Sequence, residues 1–156
     1  MPDPIDSSPS IYELYKLFQE SAEKVSDRRA QANTWMLSVN SALVAFYAFL
    51  EKGKEIINAS DRHVWLIAIP AAGLIICMAW AALLVSYRKL NHAKFSVLME
   101  MEKKLPYPIY TLEDQLLQKN KRWNLSYIES LIPWAFAMLY LFFALSAAWL
   151  WIGQKL

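Results

Sequence analysis

Apolar blocks free of charge alternate along this chain with charged, amphipathic ones. Residues 32–50, 64–87 and 131–153 contain no Asp, Glu, Lys or Arg, and each is close to the roughly 20 residues that a helix needs to cross the hydrocarbon of a bilayer. The pattern predicts three transmembrane helices. The first block differs from the others by carrying Asn33, Thr34, Ser38, Asn40 and Ser41 within its length. Asn33, Asn40 and Tyr47 recur every seven residues, a spacing that keeps them on one side of a helix. An amide facing lipid forgoes its hydrogen bonds at a cost of several kcal/mol, so this seam is expected to face protein or water. Two readings follow for Asn33, Ser38, Asn40, Ser41 and Tyr47. They bond across helices, within or between subunits, at about 0.6–2 kcal/mol each, or they line a water-filled pathway at the centre of a ring of subunits.

The flanks extend two of these helices. Residues 1–9 are polar and read as a disordered tail. Ser10 with Glu13 forms a capping box, and Ile11, Leu14, Phe18 and Val25 mark an apolar line with no breaker before residue 50. One helix of about 60 Å is expected, its portion over 10–31 cytoplasmic. Residues 51–63, with Gly53 and a Ser60-Asp61 helix start, form an external connection. The second span opens on Trp65 and holds Pro70 and Gly73, a candidate kink. Gly73, Cys77 and Ala81 recur every four residues as a small-residue stripe for close helix packing. Beyond residue 87, Leu90, Ala93, Val97, Met101 and Leu105 continue an apolar line until Pro106 and Pro108 end it. Helical portions 10–31 and 88–105 have matched lengths, so a cytoplasmic helical hairpin burying its two stripes is expected. Residues 106–130 read as a cytoplasmic loop with a short amphipathic helix capped through Thr111 and Asp114. Trp123 then anchors at the interface, and Ser126 with Glu129 forms a second capping box ahead of Pro133. Trp149 and Trp151 mark the outer end of the third span.

Composition and charge sharpen this outline. Hydrophobic residues make up 56% of the 156 and mean hydropathy is +0.19, both high for a soluble domain of this size. A single membrane domain is expected, and the acidic, proline-rich start argues against a cleaved signal. Most of the 16 Lys and Arg fall before the first span or between the second and third, so the positive-inside rule places the N-terminus in the cytoplasm and the C-terminus outside. Arg28, Arg29, Arg88 and Glu129 lie at the inner interface, where the arginines can meet lipid phosphate and Arg28 or Arg29 can pair with Glu129.

Chemistry is sparse. The single Cys77 lies inside a span, and His63 and His92 sit on opposite sides of the expected bilayer without a carboxylate or thiolate cluster at ligand spacing. No phosphate-binding glycine loop and no GxSxG elbow occurs. The sequons at Asn58 and Asn124 carry no weight. Spans without ionisable residues argue against a proton-coupled pump. Neither catalytic residues, cofactors nor nucleic acid are expected.

The runs Tyr15-Lys16-Leu17, residues 21–29, Ala32-Asn33 and residues 40–43 resemble the opening of the RipA-like family of small bacterial inner-membrane proteins, with Trp35-Met36 where two aromatic residues are expected. Residues 87–91, Lys94-Phe95, residues 102–106, Ile128-Glu129-Ser130 and Pro133 are similar to that family's later blocks. The resemblance implies a bacterial homo-octameric inner-membrane assembly and supplies no catalytic residues. The leading expectation is an all-α, non-enzymatic, ring-forming membrane protein whose cytoplasmic hairpins make a scaffold or docking platform for an unidentified cytoplasmic protein. A pore or membrane-perturbing effector is the alternative, and a membrane subunit of an enzyme encoded elsewhere is a weaker one.

Overall fold

The structure is a computed structural model and describes residues 10–52, 59–119 and 125–153. The expectations for the tail 1–9, Gly53, both sequon asparagines and Trp123 lie outside the described residues, as do those for the side chains of Ser60, Asp61, His63, Ser126 and Trp151. Four helices are present: α1 (Ile11–Lys52), α2 (Ala59–Glu102), α3 (Ile109–Lys119) and α4 (Leu125–Gly153). Among the described residues no strand occurs. Helix α1 thus runs two residues past the 32–50 block, and α2 starts at Ala59, one residue before the Ser60-Asp61 signal, so it takes in part of the 51–63 connection. Within the 106–130 stretch α3 accounts for 109–119, and α4 begins at Leu125, one residue before the Ser126-Glu129 start read from the sequence.

Contacts divide the chain into two compact units. The first takes its described residues from Met1–Arg29 and Ser86–Trp123, the second from Ala30–Val85 and Asn124–Leu156.

In the first unit α1 starts with the capping box. Ser10 Oγ accepts from the Glu13 N–H at 3.2 Å, and Glu13 Oε2 accepts from the Ser10 N–H at 2.9 Å. Two donors that a helix start would leave orphaned are thereby satisfied. The core is Tyr15, Ala22 and Leu98, with Phe18, Phe95, Met101, Leu105 and Tyr110 packed on it. Polar pairs run beside it: Lys94 Nζ donates to Ser21 Oγ at 2.7 Å and stands 4.8 Å from the centroid of the Phe18 ring, and Asn91 donates to Ser26 Oγ at 3.4 Å. Sequence order along α1 is matched by reverse order along α2, so the two segments are antiparallel here.

The faces match the sequence expectation in part: Val25 is buried and Phe18, Met101 and Leu105 pack on the core, whereas the other expected positions do not. On α2, Leu90, Ala93 and Val97 are exposed, while Phe95, Leu98 and Met101 turn to the core, as does Leu105 just beyond the helix. On α1, Ile11 and Leu14 are exposed and Tyr15 and Ala22 take the buried positions. Two apolar lines run along this part of α2, and α1 packs on the one carrying Leu98.

The second unit builds its core from Tyr47, Leu50 and Ile69, with Leu43, Leu66 and Phe143 against them. Phe143 stacks on Tyr47 with centroids 4.3 Å apart and planes within 6°, an aromatic pair of the kind that adds about 0.5–1.5 kcal/mol beyond area burial. Pro70 and Pro133 both lie inside continuous helices and are fully buried. The Arg62 guanidinium donates to the Glu51 carbonyl and caps the C-terminal end of α1.

Among the described residues two helices are long and apolar enough to cross a membrane, over Val64–Glu102 and Ile128–Trp149. Only 28% and 11% of their most apolar windows is buried by the fold. A soluble core helix would be mostly covered, whereas here Trp134, Met138, Phe142 and Leu145 on α4 are open to whatever surrounds the chain. The 32–50 block of α1 is not among these helices; its amides and hydroxyls lower its hydropathy.

Candidate functional site

Helical periodicity separates the polar residues of α1's uncharged block onto two faces. Asn33, Asn40 and Tyr47 point inward: Asn40 is fully buried, Tyr47 is buried and Asn33 is half-buried. Each has a partner within the same chain. The Trp80 indole N–H donates to Asn33 Oδ1 at 2.9 Å, Cys77 Sγ donates to Asn40 Oδ1 at 3.4 Å, and the Tyr47 hydroxyl donates to the Phe143 carbonyl at 3.4 Å. Asn40 Nδ2 donates to the Met36 carbonyl at 2.8 Å, and the Tyr140 hydroxyl reaches the Asn40 carbonyl at 3.2 Å. Asn40 therefore knits α1 to both α2 and α4 within one chain.

Ser38 and Ser41 are on the other face, exposed, with Thr34. Thr34 and Ser38 hydroxyls turn back onto α1, donating to the Ala30 and Thr34 carbonyls at 3.1 and 2.9 Å. Thr34, Ser38, Ser41, Ala45 and Ala48 alternate spacings of four and three, and all are exposed. This face of α1 is small, mildly polar and uncovered.

The Gly73, Cys77 and Ala81 stripe faces into the second unit, with the first two buried and Ala81 half-buried. A Cβ built at Gly73 would fall on the Tyr140 ring. Glycine is what lets α4 bring that ring against α2, with its hydroxyl at Asn40.

A second polar centre, in the first unit, escaped the sequence reading. Glu102, the last residue of α2, is 1% exposed and carries four hydrogen bonds. Its Oε1 accepts from the Tyr15 hydroxyl at 3.0 Å and the Tyr110 N–H at 2.8 Å. Its Oε2 accepts from the Thr111 N–H at 3.0 Å and the Thr111 hydroxyl at 2.9 Å. The carboxylate thus caps the first turn of α3 from a different helix, where free N–H groups and the helix dipole favour an anion. Burial pushes the carboxyl upward, yet the donated bonds from Tyr110, Thr111 and Tyr15 outweigh it and hold the group below its ordinary range. The Tyr15 phenol is pushed up to about 12, first by burial and then by the Glu102 carboxylate it serves. The legible signal was an acidic residue just ahead of the Pro106–Pro108 turn that leads into α3. That turn and its return onto α2 are tertiary, and no spacing rule encodes them.

The remaining candidates are dispersed. Arg28 and Arg88 are exposed, and Arg29 and Glu129 are half-buried; the arginines belong to the first unit and Glu129 to the second. His92 is exposed on the rim of an open groove of about 430 Å³ between α2 and α3. Among the described residues no group of three His, Cys, Asp or Glu side chains could hold a metal ion. Both buried centres therefore hold helices in place, and neither presents a nucleophile, a free base or an ion cradle to solvent.

A family model described as "Octameric membrane protein family (8xMP)" matches residues 12–149. No curated protein and no solved structure matches the chain.

Proposed function

We propose, from the premise that this chain belongs to the octameric membrane protein family, that it is a non-enzymatic platform. Eight copies stand in one bacterial inner membrane, each crossing it three times with its N-terminus cytoplasmic, and together they present a ring of first units to cytoplasmic proteins. The observation that carries this reading is Glu102. A buried carboxylate with four donors fixes α3 onto α1 and α2, which makes the first unit a three-helix surface. Positive-inside bias supports its cytoplasmic position, and the satisfied amides of α1 support a third crossing. Native mass spectrometry in mild detergent tests the assembly, with a defined octamer expected. Planar-bilayer recording tests the platform, with no conductance expected. A monomer would defeat the first and steady conductance the second.

One observation favours a channel instead. The exposed stripe Thr34, Ser38, Ser41, Ala45 and Ala48 has the uncharged polarity of a weakly selective pore lining. Conductance altered by Ser41→Arg would establish that reading over the platform.

A further inference from the structure

The first unit has two surfaces without partners, and they match each other. One is the apolar stripe of Leu90, Ala93 and Val97 on α2, spaced three and four residues apart and exposed. Lys89 flanks it, Glu100 beside it is occupied by Lys103 at 2.5 Å, and Lys104 follows in the turn just past the end of α2, so its margin is basic. The other is the open groove of about 430 Å³ between α2 and α3. Phe95, Met99, Tyr110 and Leu117 line it with apolar surface, and Glu113 and Asp114 make its rim acidic. At about 100° per residue, the α2 positions facing α3 and the positions of the stripe fall on different sides of the helix.

Copies inserted in one bilayer share one orientation, so eight of them close by rotation about the membrane normal. Such a ring is head-to-tail, and every copy must offer two different, complementary faces. We propose that the Leu90–Ala93–Val97 stripe of one copy seats in the α2–α3 groove of its neighbour, with Lys89 and Lys104 against the neighbour's Glu113 and Asp114. This rests on the octameric reading above and goes further by assigning the contact. Apolar stripe on apolar floor supplies adhesion, and the basic margin on the acidic rim fixes register and excludes stripe-to-stripe pairing, which would oppose lysines. It also assigns Glu102 a purpose: the groove exists only while α3 is held on α2.

Disulfide trapping in native membranes tests the contact. Val97→Cys combined with Leu117→Cys, oxidised and run on a denaturing gel, should give a ladder from dimer to octamer. Each single variant should give no ladder, and the buried native Cys77 none either. Lys89→Glu should raise the concentration at which the octamer dissociates by at least tenfold, and Glu113→Lys in the same chain should restore it. An octamer that persists by native mass spectrometry while the double-cysteine protein forms no ladder would overturn the contact and leave the octamer standing. Strong dimer from Val97→Cys alone would replace it with stripe-to-stripe pairing. A parent protein that is monomeric in the membrane would remove the octameric reading, and this contact with it.

Discussion

Tyr15 and Glu102, separated by 87 positions in the chain, meet at 3.0 Å, and their bond joins the first helix to the carboxylate that starts the third. A hydrogen bond to a charged acceptor contributes about 1.5–3 kcal/mol, whereas leaving its buried partner unpaired costs the full desolvation penalty of that group. Glu102→Ala strands two backbone N–H groups of α3 and should destabilise the first unit by about 3 kcal/mol, with Glu102→Gln costing less because an amide oxygen still accepts. Tyr15→Phe should cost about 1 kcal/mol. Hydrogen exchange at Tyr110 and Thr111 is the direct measurement. Unchanged protection in Glu102→Ala would show that α3 is held by packing alone.

The same centre sets a pH dependence of defined sign. Because the folded Glu102 carboxyl lies below its ordinary 4.5, its contribution is fully present above that value and is lost as pH falls through the lower folded pKa. For Tyr15 the order reverses. Its phenol rises from 10.0 to about 12, so its contribution is complete below 10.0 and disappears as pH climbs through about 12. Protection of α3 amides should therefore form a plateau between these limits. Its acid edge should vanish in Glu102→Gln and its alkaline edge in Tyr15→Phe.

Gly73 and Tyr140 give a packing prediction. A methyl at Gly73 must displace the Tyr140 ring, and overpacking of this kind costs about 1–3 kcal/mol. Gly73→Ala should lower the unfolding temperature in detergent, and Tyr140→Ala in the same chain should relieve most of the added loss, since the two changes share one contact. Additive losses would mean that the helices part without conflict at this site.

What the sequence disclosed depended on whether periodicity alone defined it. Three residues seven apart, Asn33, Asn40 and Tyr47, share a face in any regular helix, so their common direction was legible before their partners Trp80, Cys77 and Phe143 were. Ser38 and Ser41 lie beside Asn40 in sequence, yet a helix turns them away from it. Past residue 87, α2 carries two apolar lines, and spacing could not say whether α1 would choose Leu98 or the line of Leu90 and Val97. The Glu102 centre required the chain to fold back at Pro106 and Pro108, a relationship between segments that local pattern does not hold.

Asn40 and Ser41 are adjacent in sequence and opposite in surroundings, which makes them a discriminating pair. Asn40 is enclosed and bonded to α2 and α4, so Asn40→Leu should cost about 1–2 kcal/mol of fold stability, the order of an interhelical bond in a membrane protein. It should leave any conductance unchanged in shape. Ser41 is exposed, and Ser41→Cys should cost little stability. Its reactivity with a charged, membrane-impermeant thiol reagent then reports what covers that face. On the platform reading another helix covers the small-residue stripe, and Ser41→Cys stays unmodified in the intact octamer while reacting once the octamer is dissociated. Rapid modification in the intact octamer, matched at Ser38→Cys, would put water along α1 and make the channel the better account of the assembly.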